Sequence, residues 1–231
     1  MNTRFVWQCV VGLATVATLW ATAEANGPQS NATAERSPRE LARDRWQRPN
    51  EVFDKLNVAI GSRVADIGSG EGYFTVLLAE RVGTTGKVLA VDVSDSFLNR
   101  VRERVAKANL TQVELIKSER NDPKLPVESL DAVIIVNAYH EFKEYDAMMA
   151  GIVRGLRPGG RLAILDYGSA LGHPRSAYSH EIPGELVIED ATRQGLRLKT
   201  FDSAFVTRET GARGYLAVFE KPIGVEPLHQ H

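Results

Sequence analysis

The residues best suited to chemistry lie in one glycine-rich segment, residues 64–74, which reads VADIGSGEGYF. Alternating glycines let the backbone turn sharply and approach a ligand where any Cβ would clash. The helix expected next would present unpaired N–H groups at its start. Asp92 ends the following apolar segment, where a carboxylate can accept hydrogen bonds from two ribose hydroxyls. The pattern predicts a nucleoside site at the carboxyl ends of two strands.

The glycine spacing distinguishes two kinds of nucleoside site. Turns that bind a pyrophosphate usually read G-x-G-x-x-G. Here Tyr73 occupies the position of the third glycine, and Gly72 comes one position early. The bulk of Tyr73 and the charge of Glu71 suit a doubly anionic pyrophosphate poorly, although a zwitterionic group would be acceptable there. This spacing disfavours a nicotinamide-dependent oxidoreductase, which is kept as a second alternative.

A second group of reactive side chains follows a long apolar run, in the segment NAYHE at residues 137–141. Imidazole titrates near neutrality, so His140 is the best candidate for a general base if the reacting partner carries a proton. Tyr139 or Tyr73 could place an aromatic face beside a positive charge. Alternatively, Asn137 and His140 only tie down a strand-to-helix loop.

Alternating strand-period and helix-period segments must position these residues, which favours an α/β domain with a mostly parallel sheet. Strands are predicted at residues 63–67, 87–92, 113–117, 130–136, 161–166, 196–206 and 215–221. Helices are predicted at residues 43–56, interrupted by Pro49, then before Gly83, after Ser94, at 144–156 and before Gly195. A turn is expected at residues 157–160, and the last two strands should form an antiparallel hairpin.

The first residues predict an export signal. Arg4 precedes an uncharged run over residues 5–23, and Ala23-Glu24-Ala25 has the small-x-small pattern of a cleavage site. We expect a signal peptide at residues 1–25, a flexible linker at 26–40, the folded domain at 41–222 and a tail at 223–231. The apolar run is nearly as long as the ~20 residues that span a membrane, so an uncleaved anchor is the alternative. Both interpretations place the domain outside the cytoplasm, in the periplasm or secreted.

Composition excludes several classes of protein. The 231 residues carry 28 Lys+Arg and 29 Asp+Glu, a net charge of -1, so the sequence predicts no nucleic-acid partner. One cysteine, Cys9, cannot build a disulfide framework or a cysteine metal site. No metal-ligand cluster with usable spacing is present, and no metal is expected. The length suits one compact domain.

Residues 46–221 resemble the class I S-adenosylmethionine-dependent methyltransferases. Within that superfamily the sequence is similar to the ubiquinone/menaquinone-biosynthesis type of domain (methyltransferase type 11). Four stretches carry the resemblance: VADIGSGEGYF, VLAVDVS, the apolar strand into Asn137, and LRPGGRLAILD. It implies a Rossmann-like three-layer α/β sandwich, whose seven-stranded, mostly parallel sheet ends in an antiparallel hairpin. The implied cofactor is S-adenosyl-L-methionine.

The resemblance also assigns residues to the cofactor. Asp92 is expected to hold the ribose, and the adenine edge falls to Glu119 or Asp122. Asn137 is expected beside the reacting carbon. Four residues are expected around the methionine end: Asp66, Gly68, Gly70 and Gly72.

The predicted activity is methyl transfer to an unidentified small-molecule acceptor. Such a reaction needs alignment and a dry cavity, and a base such as His140 only if the acceptor carries a proton. S-adenosylmethionine is made in the cytoplasm, so an exported protein raises the question of cofactor supply. The main alternative is therefore a non-catalytic module that binds an adenosine cofactor. A monomer or weak dimer is expected, with membrane contact only if the N-terminal segment is uncleaved.

Overall fold

The computed structural model describes residues 36–168, 181–207 and 213–224. Its strands are β1 (Arg63–Ile67), β2 (Lys87–Asp92), β3 (Val113–Lys117), β4 (Leu130–Val136), β5 (Leu156–Tyr167), β6 (Arg197–Thr207) and β7 (Arg213–Glu220). Its helices are α1 (Pro38–Gln47), α2 (Pro49–Lys55), α3 (Tyr73–Val82), α4 (Asp95–Lys107), α5 (Tyr145–Gly155) and α6 (Gly184–Arg193), with a 3₁₀ helix at Tyr139–Glu141.

All described strands belong to one sheet, in the order β3-β2-β1-β4-β5-β7-β6. The pairs among β1 to β5 are parallel, whereas β7 runs antiparallel to both β5 and β6. The predicted sheet and its antiparallel C-terminal hairpin are therefore confirmed. The order reverses between β1 and β4, which opens a crevice at the carboxyl ends of these strands.

Helices cover both faces of the sheet. Apolar residues of α2, α3 and α4 pack on one face, and those of α5 and α6 pack on the other. The interior strands are consequently apolar along nearly their whole length; in β4, only Asp131 is not buried. This double burial explains why β4 is an almost continuous apolar run rather than an alternating one.

Several predictions concern the two ends of the chain, outside the described residues. The predicted signal at residues 1–25 lies outside the described residues, as do most of the linker and residues 225–231 of the tail. Within the described ranges, no helix is long and apolar enough to cross a membrane.

The predicted helix at residues 43–56 is two helices, and the first begins earlier than expected. Arg48 adopts a left-handed conformation (φ 46°), and Pro49 then starts α2. A residue before proline avoids the helical region, so α1 ends there. At its other end, Ser37 and Glu40 form a capping box, in which each side chain accepts a hydrogen bond from the other residue's backbone N–H. Helix α1 therefore begins inside the segment predicted to be a flexible linker.

The turn expected at residues 157–160 is part of β5. The pairing of β4 with β5 changes register between Leu130 and Ala132, so the strand continues through a bulge. Glycine permits this bulge because a Cβ at Gly160 would lie 2.8 Å from the Arg157 oxygen and 2.9 Å from the Leu130 oxygen. The backbone approach is too close for any side chain.

Helix α5 should not tolerate alanine at Gly151, although alanine is the better helix former by about 1 kcal/mol. A Cβ there would lie 2.5 Å from Pro123 Cδ, in the segment that follows β3. We expect Gly151→Ala to lower the free energy of unfolding, measured by urea denaturation, by about 1–3 kcal/mol through overpacking. The penalty should disappear when Pro123→Ala is combined with it. A stabilised single variant would contradict this packing.

Candidate functional site

One carboxylate joins the carboxyl ends of β1 and β2. Asp92 Oδ2 accepts a hydrogen bond from the Gly70 backbone N–H (2.9 Å), and Asp92 Oδ1 accepts one from the Ser94 N–H (2.8 Å). The Gly68 N–H donates to the Val91 carbonyl of β2 (2.8 Å). The glycine-rich loop is thus fastened to the end of β2, and the two strand ends meet as the sequence predicts.

The loop glycines have different reasons to be glycine. Gly68 (φ +70°) lies so close to the loop after β4 that its Cβ would stand 2.4 Å from Ala138 Cβ. Gly70 (φ +53°) has no atom within 4 Å of its Cβ position, so it borders open space. Gly72 (φ +80°) is the N-cap of α3. Left-handed backbone is required at all three, and only Gly70 faces room for a ligand.

A cavity of about 1250 Å³ lies at these strand ends. Six of the predicted cofactor residues line it: Asp66, Gly68, Gly70, Asp92, Glu119 and Asn137. Gly72 does not line the wall; it is the N-cap residue at the start of α3. The cavity therefore gathers residues from the ends of β1 and β2, and from the segments after β3 and β4.

Asp66 is a buried carboxylate in this wall, only 2% exposed. The Thr75 hydroxyl donates to its Oδ2 at 2.6 Å. Burial raises the pKa of Asp66 to about 6; the charge of Asp92 adds to this, while the Thr75 hydrogen bond and the charge of Arg43 oppose it. Asp66 can thus change its charge just below neutral pH.

Two polar atoms in the wall have no hydrogen-bond partner among the described residues. They are Ser69 Oγ, after β1, and Asn137 Oδ1, after the neighbouring strand β4. Asn137 adopts a left-handed conformation, with φ 51°. Buried polar groups are normally hydrogen-bonded, so these atoms indicate a place where a ligand supplies the missing partner.

The segment after β3 contributes Glu119 but not Asp122. Glu119 lines the cavity and pairs with Lys124 at 2.9 Å. Asp122 lies away from the wall, where it pairs with Lys124 (3.4 Å) and Arg154 (3.4 Å). Of the two candidates for the adenine edge, only Glu119 is in position to contact a ligand.

Tyr139 does not reach the cavity, so the prediction that it could place an aromatic face beside a ligand's positive charge is wrong. Its side chain is fully buried, and its hydroxyl donates to Asp190 of α6 at 2.7 Å. The ring packs 5.3 Å from Phe142 and 5.5 Å from Tyr145. The 3₁₀ helix turns this side chain toward α5 and α6, where it fills the core.

His140 has a partner that the sequence analysis missed. Its Nδ1 lies 2.8 Å from Oδ1 of Asp166, a fully buried residue near the end of β5. Burial opposes the charged imidazole, but the hydrogen bond and charge of Asp166, with the charge of Glu141, raise the pKa of His140. The imidazole does not line the cavity, whereas Ala138 and Glu141 on either side of it do. The sequence did contain a signal for this partner. Asp166 lies near the end of β5, the strand next to β4, much as Asp92 ends β2.

Helix α1 forms one wall of the cavity; its second half falls in the helix predicted at residues 43–56, and only its first residues were assigned to the linker. Arg43 places its guanidinium 4.1 Å from the centre of the Tyr73 ring, and Tyr73 donates its hydroxyl hydrogen to Asp44. Arg43 and Trp46 line the cavity, and Trp46 also packs on the core. The aromatic face of Tyr73 that was predicted to meet a ligand charge therefore carries a protein cation.

Asp92 should stabilise the fold in addition to binding a ligand. Asp92→Ala leaves two backbone N–H groups without their acceptor, so we expect the free energy of unfolding in urea to fall by about 1–3 kcal/mol. Asp92→Asn, which keeps one oxygen acceptor, should lose less. The exposed Asp95, whose side chain pairs with Lys117, supplies the control variant Asp95→Ala. Equal stability of Asp92→Ala and the native protein would contradict this role.

Comparison with known proteins agrees with this geometry. Residues 64–160 match the family model described as a methyltransferase domain. These residues include the glycine-rich loop, Asp92 and the segment after β4.

Two curated relatives are similar over part of their length. The chain is 31% identical over 122 residues to a demethylmenaquinone methyltransferase of Listeria monocytogenes, covering 53% of this chain and 51% of that protein. It is 30% identical over 154 residues to a ubiquinone/menaquinone biosynthesis C-methyltransferase of Cronobacter sakazakii, covering 63% of this chain and 61% of that protein. The chain thus spans about half to three fifths of the relatives that it matches.

Solved structures share the fold. A SAM-dependent methyltransferase from Aquifex aeolicus superposes with a TM-score of 0.66 at 24% identity, covering 80% of this chain and 99% of that one. The [4+2]-cyclase SpnF gives a TM-score of 0.70 at 16% identity, covering 82% and 85%. A cyclase among these structures shows that the fold alone does not define the reaction. Residues 64–160 thus resemble a methyltransferase domain, and the described residues share the fold of solved structures that include a SAM-dependent methyltransferase.

Proposed function

We propose that the cavity binds S-adenosylmethionine and that the protein transfers the methyl group to a small apolar acceptor. The observation that carries this proposal is the position of Asp92, fastened to Gly70 N–H and Ser94 N–H at the rim of an open cavity. A carboxylate has about four acceptor positions, and two are used here. The remaining ones are available to the two ribose hydroxyls.

The methionine end fits beside Asp66, Ser69 and Asn137. Asp66 offers a charge to the ammonium group, and the unpartnered oxygens Ser69 Oγ and Asn137 Oδ1 offer hydrogen-bonding positions. The space beside Gly70 admits the ligand backbone. When bound, S-adenosylmethionine supplies a methyl group activated by a positively charged sulfur. The protein itself contributes alignment and exclusion of water.

The adenine fits between the apolar side chains beside Asp92. Val93 and Phe97 both line the cavity, yet are 53% and 38% exposed. Because both side chains lie in the wall of the cavity, they offer an apolar surface that a flat ring can cover. Glu119 lies in the same wall and can accept a hydrogen bond from an exocyclic amino group.

The acceptor belongs on the side of the cavity formed after β4. Ala138, Phe142 and Met148 line the wall there and give it an apolar character. A hydroquinone ring suits such a surface, because its edge carries hydroxyl groups and its faces are apolar. The two relatives are named for methylation of quinone precursors. We therefore favour methylation of a ring carbon in a quinol.

The function is tested with two measurements on the protein without residues 1–25. Calorimetry should detect binding of S-adenosylmethionine and S-adenosylhomocysteine but not of NADH. Labelled methyl groups should then pass to reduced demethylmenaquinone. Asp92→Ala should weaken cofactor binding by about 10-fold or more, as expected when charged hydrogen bonds are lost, and Asp95→Ala should not. Binding without transfer to any quinol would favour a binding module, and NADH binding would refute the cofactor assignment.

Cofactor affinity should depend on pH through Asp66. The free protein holds this carboxylate with a pKa of about 6, and the ammonium group of the cofactor favours its charged form. The dissociation constant for S-adenosylmethionine should therefore rise below pH 6, by at most about 10-fold per pH unit. Asp66→Asn should bind weakly and lose this dependence.

The control for the pH measurement is Asp122→Asn, since Asp122 lies away from the wall. It should retain the native pH profile. A native profile that is flat between pH 5 and 7 would contradict the contact between Asp66 and the cofactor.

Export is part of the proposal. The segment before Asn26 supports secretion into the periplasm or medium, with cleavage after Ala25. Cell fractionation combined with N-terminal sequencing of the tagged full chain tests this. Mature protein in the periplasm would support export and direct attention to the source of cofactor there, whereas an intact cytoplasmic chain would refute it.

A further inference from the structure

One buried carboxylate has no part in the proposed cofactor site. Asp166 is fully buried near the end of β5, where an ionised carboxylate is costly unless it is paired and hydrogen-bonded. Its side-chain partner is His140. We propose that Asp166 is a positioning residue. It holds the His140 imidazole so that the ring can take a proton from the molecule that is methylated. This inference rests on the proposed function and extends it to the acceptor's chemistry.

Three hydrogen bonds define the pair. Asp166 Oδ1 lies 2.8 Å from His140 Nδ1 and accepts the Tyr167 N–H at 2.8 Å. Asp166 Oδ2 accepts the backbone N–H of His140 at 3.2 Å. Because a carboxylate beside Nδ1 favours the tautomer with hydrogen on that atom, Nε2 becomes the nitrogen that accepts a proton. Asp166 thus sets both the orientation and the tautomer of the ring.

The ring lies next to the acceptor side of the cavity. Its Nε2 is 3.8 Å from Oε1 of Glu141. Glu141 lines the wall of the cavity, and so does Ala138, two residues before His140. The His140 side chain is 7% exposed, so it is shielded from bulk water without being sealed. Among the described residues, Asp166 and Glu141 are the charged groups that act on its pKa, and both favour the protonated form. The ring can therefore hold a proton stably after taking it.

The step conserves atoms and charge for a quinol acceptor. The acceptor hydroxyl gives its proton to His140 Nε2, and the adjacent ring carbon forms a bond to the methyl carbon. The carbon–sulfur bond breaks, and its electron pair stays on sulfur. The hydrogen displaced from the ring carbon then restores the hydroxyl group. His140 finishes the step as an imidazolium ion paired with Asp166.

A second hydrogen bond in the same segment provides the control for a purely structural role of His140 and Asp166. Tyr139, in the same 3₁₀ helix, donates to the buried Asp190 on the other side of the segment. Tyr139→Phe therefore removes an anchor of the segment without altering the imidazole's carboxylate. If Asp166 only ties down the loop, Tyr139→Phe and Asp166→Asn should behave alike.

The first experiment observes the imidazole directly. Nitrogen NMR of histidine-labelled protein, assigned with His140→Gln, should show hydrogen on Nδ1 and a proton-accepting Nε2. Asp166→Asn should lower the pKa of His140, and Tyr139→Phe should leave it unchanged. Adding 1,4-naphthalenediol to the S-adenosylhomocysteine complex should shift the Nε2 resonance. An unresponsive Nε2 in a complex that binds both molecules would overturn the proposal.

The second experiment uses transfer to reduced demethylmenaquinone. His140→Gln should lower kcat by about 100-fold or more with unchanged affinity for S-adenosylhomocysteine, as expected for loss of a general base. Asp166→Asn should lower kcat less and move the acidic limb of the kcat/KM profile to lower pH. A Tyr139→Phe variant with the same pH shift would refute positioning by Asp166. Failure to bind S-adenosylhomocysteine would instead refute the proposed function.

Discussion

The site depends on the hydrogen bonds that the charged carboxylate of Asp92 accepts from two backbone N–H groups. Its hydrogen bonds to Gly70 and Ser94 hold the loop after β1 and the loop after β2 in one fixed relation. Backbone hydrogen bonds from Gly68 and Ser69 to the Val91 carbonyl also hold this loop, but it is the Asp92 side chain that links Gly70 to the start of α4. The same oxygens border the cavity, so one group both orders the protein and faces the ligand.

The topology explains why the remaining residues collect there. In a parallel sheet the carboxyl ends of neighbouring strands share one edge, and the order reverses between β1 and β4. Asp66 and Asn137 therefore approach from adjacent strands, and contact between Gly68 and Ala138 closes the floor between them. The pairing of β4 with β5 brings Asp166 beside His140 by the same geometry.

Features governed by local pattern could be predicted from the sequence. The apolar strands, the positive-φ glycines and Asp92 follow from periodicity and spacing, and the structure confirms them. Side-chain direction in short irregular segments could not be predicted. The 3₁₀ helix buries Tyr139, and the carboxylate that orients His140 lies 26 residues away in sequence, at the end of another strand. The early start of helix α1 at Pro38 was missed because a polar, charged segment resembles a linker unless the capping box at Ser37 is recognised.

The most direct test is a crystal structure of the protein with S-adenosylhomocysteine. Both ribose hydroxyls should lie within hydrogen-bonding distance of Asp92, with the Gly70 N–H still bonded to the same carboxylate. The amino-acid end should lie beside Asp66 and Asn137. A nucleoside bound elsewhere, or an Asp92 side chain that turns away from the ribose, would contradict it.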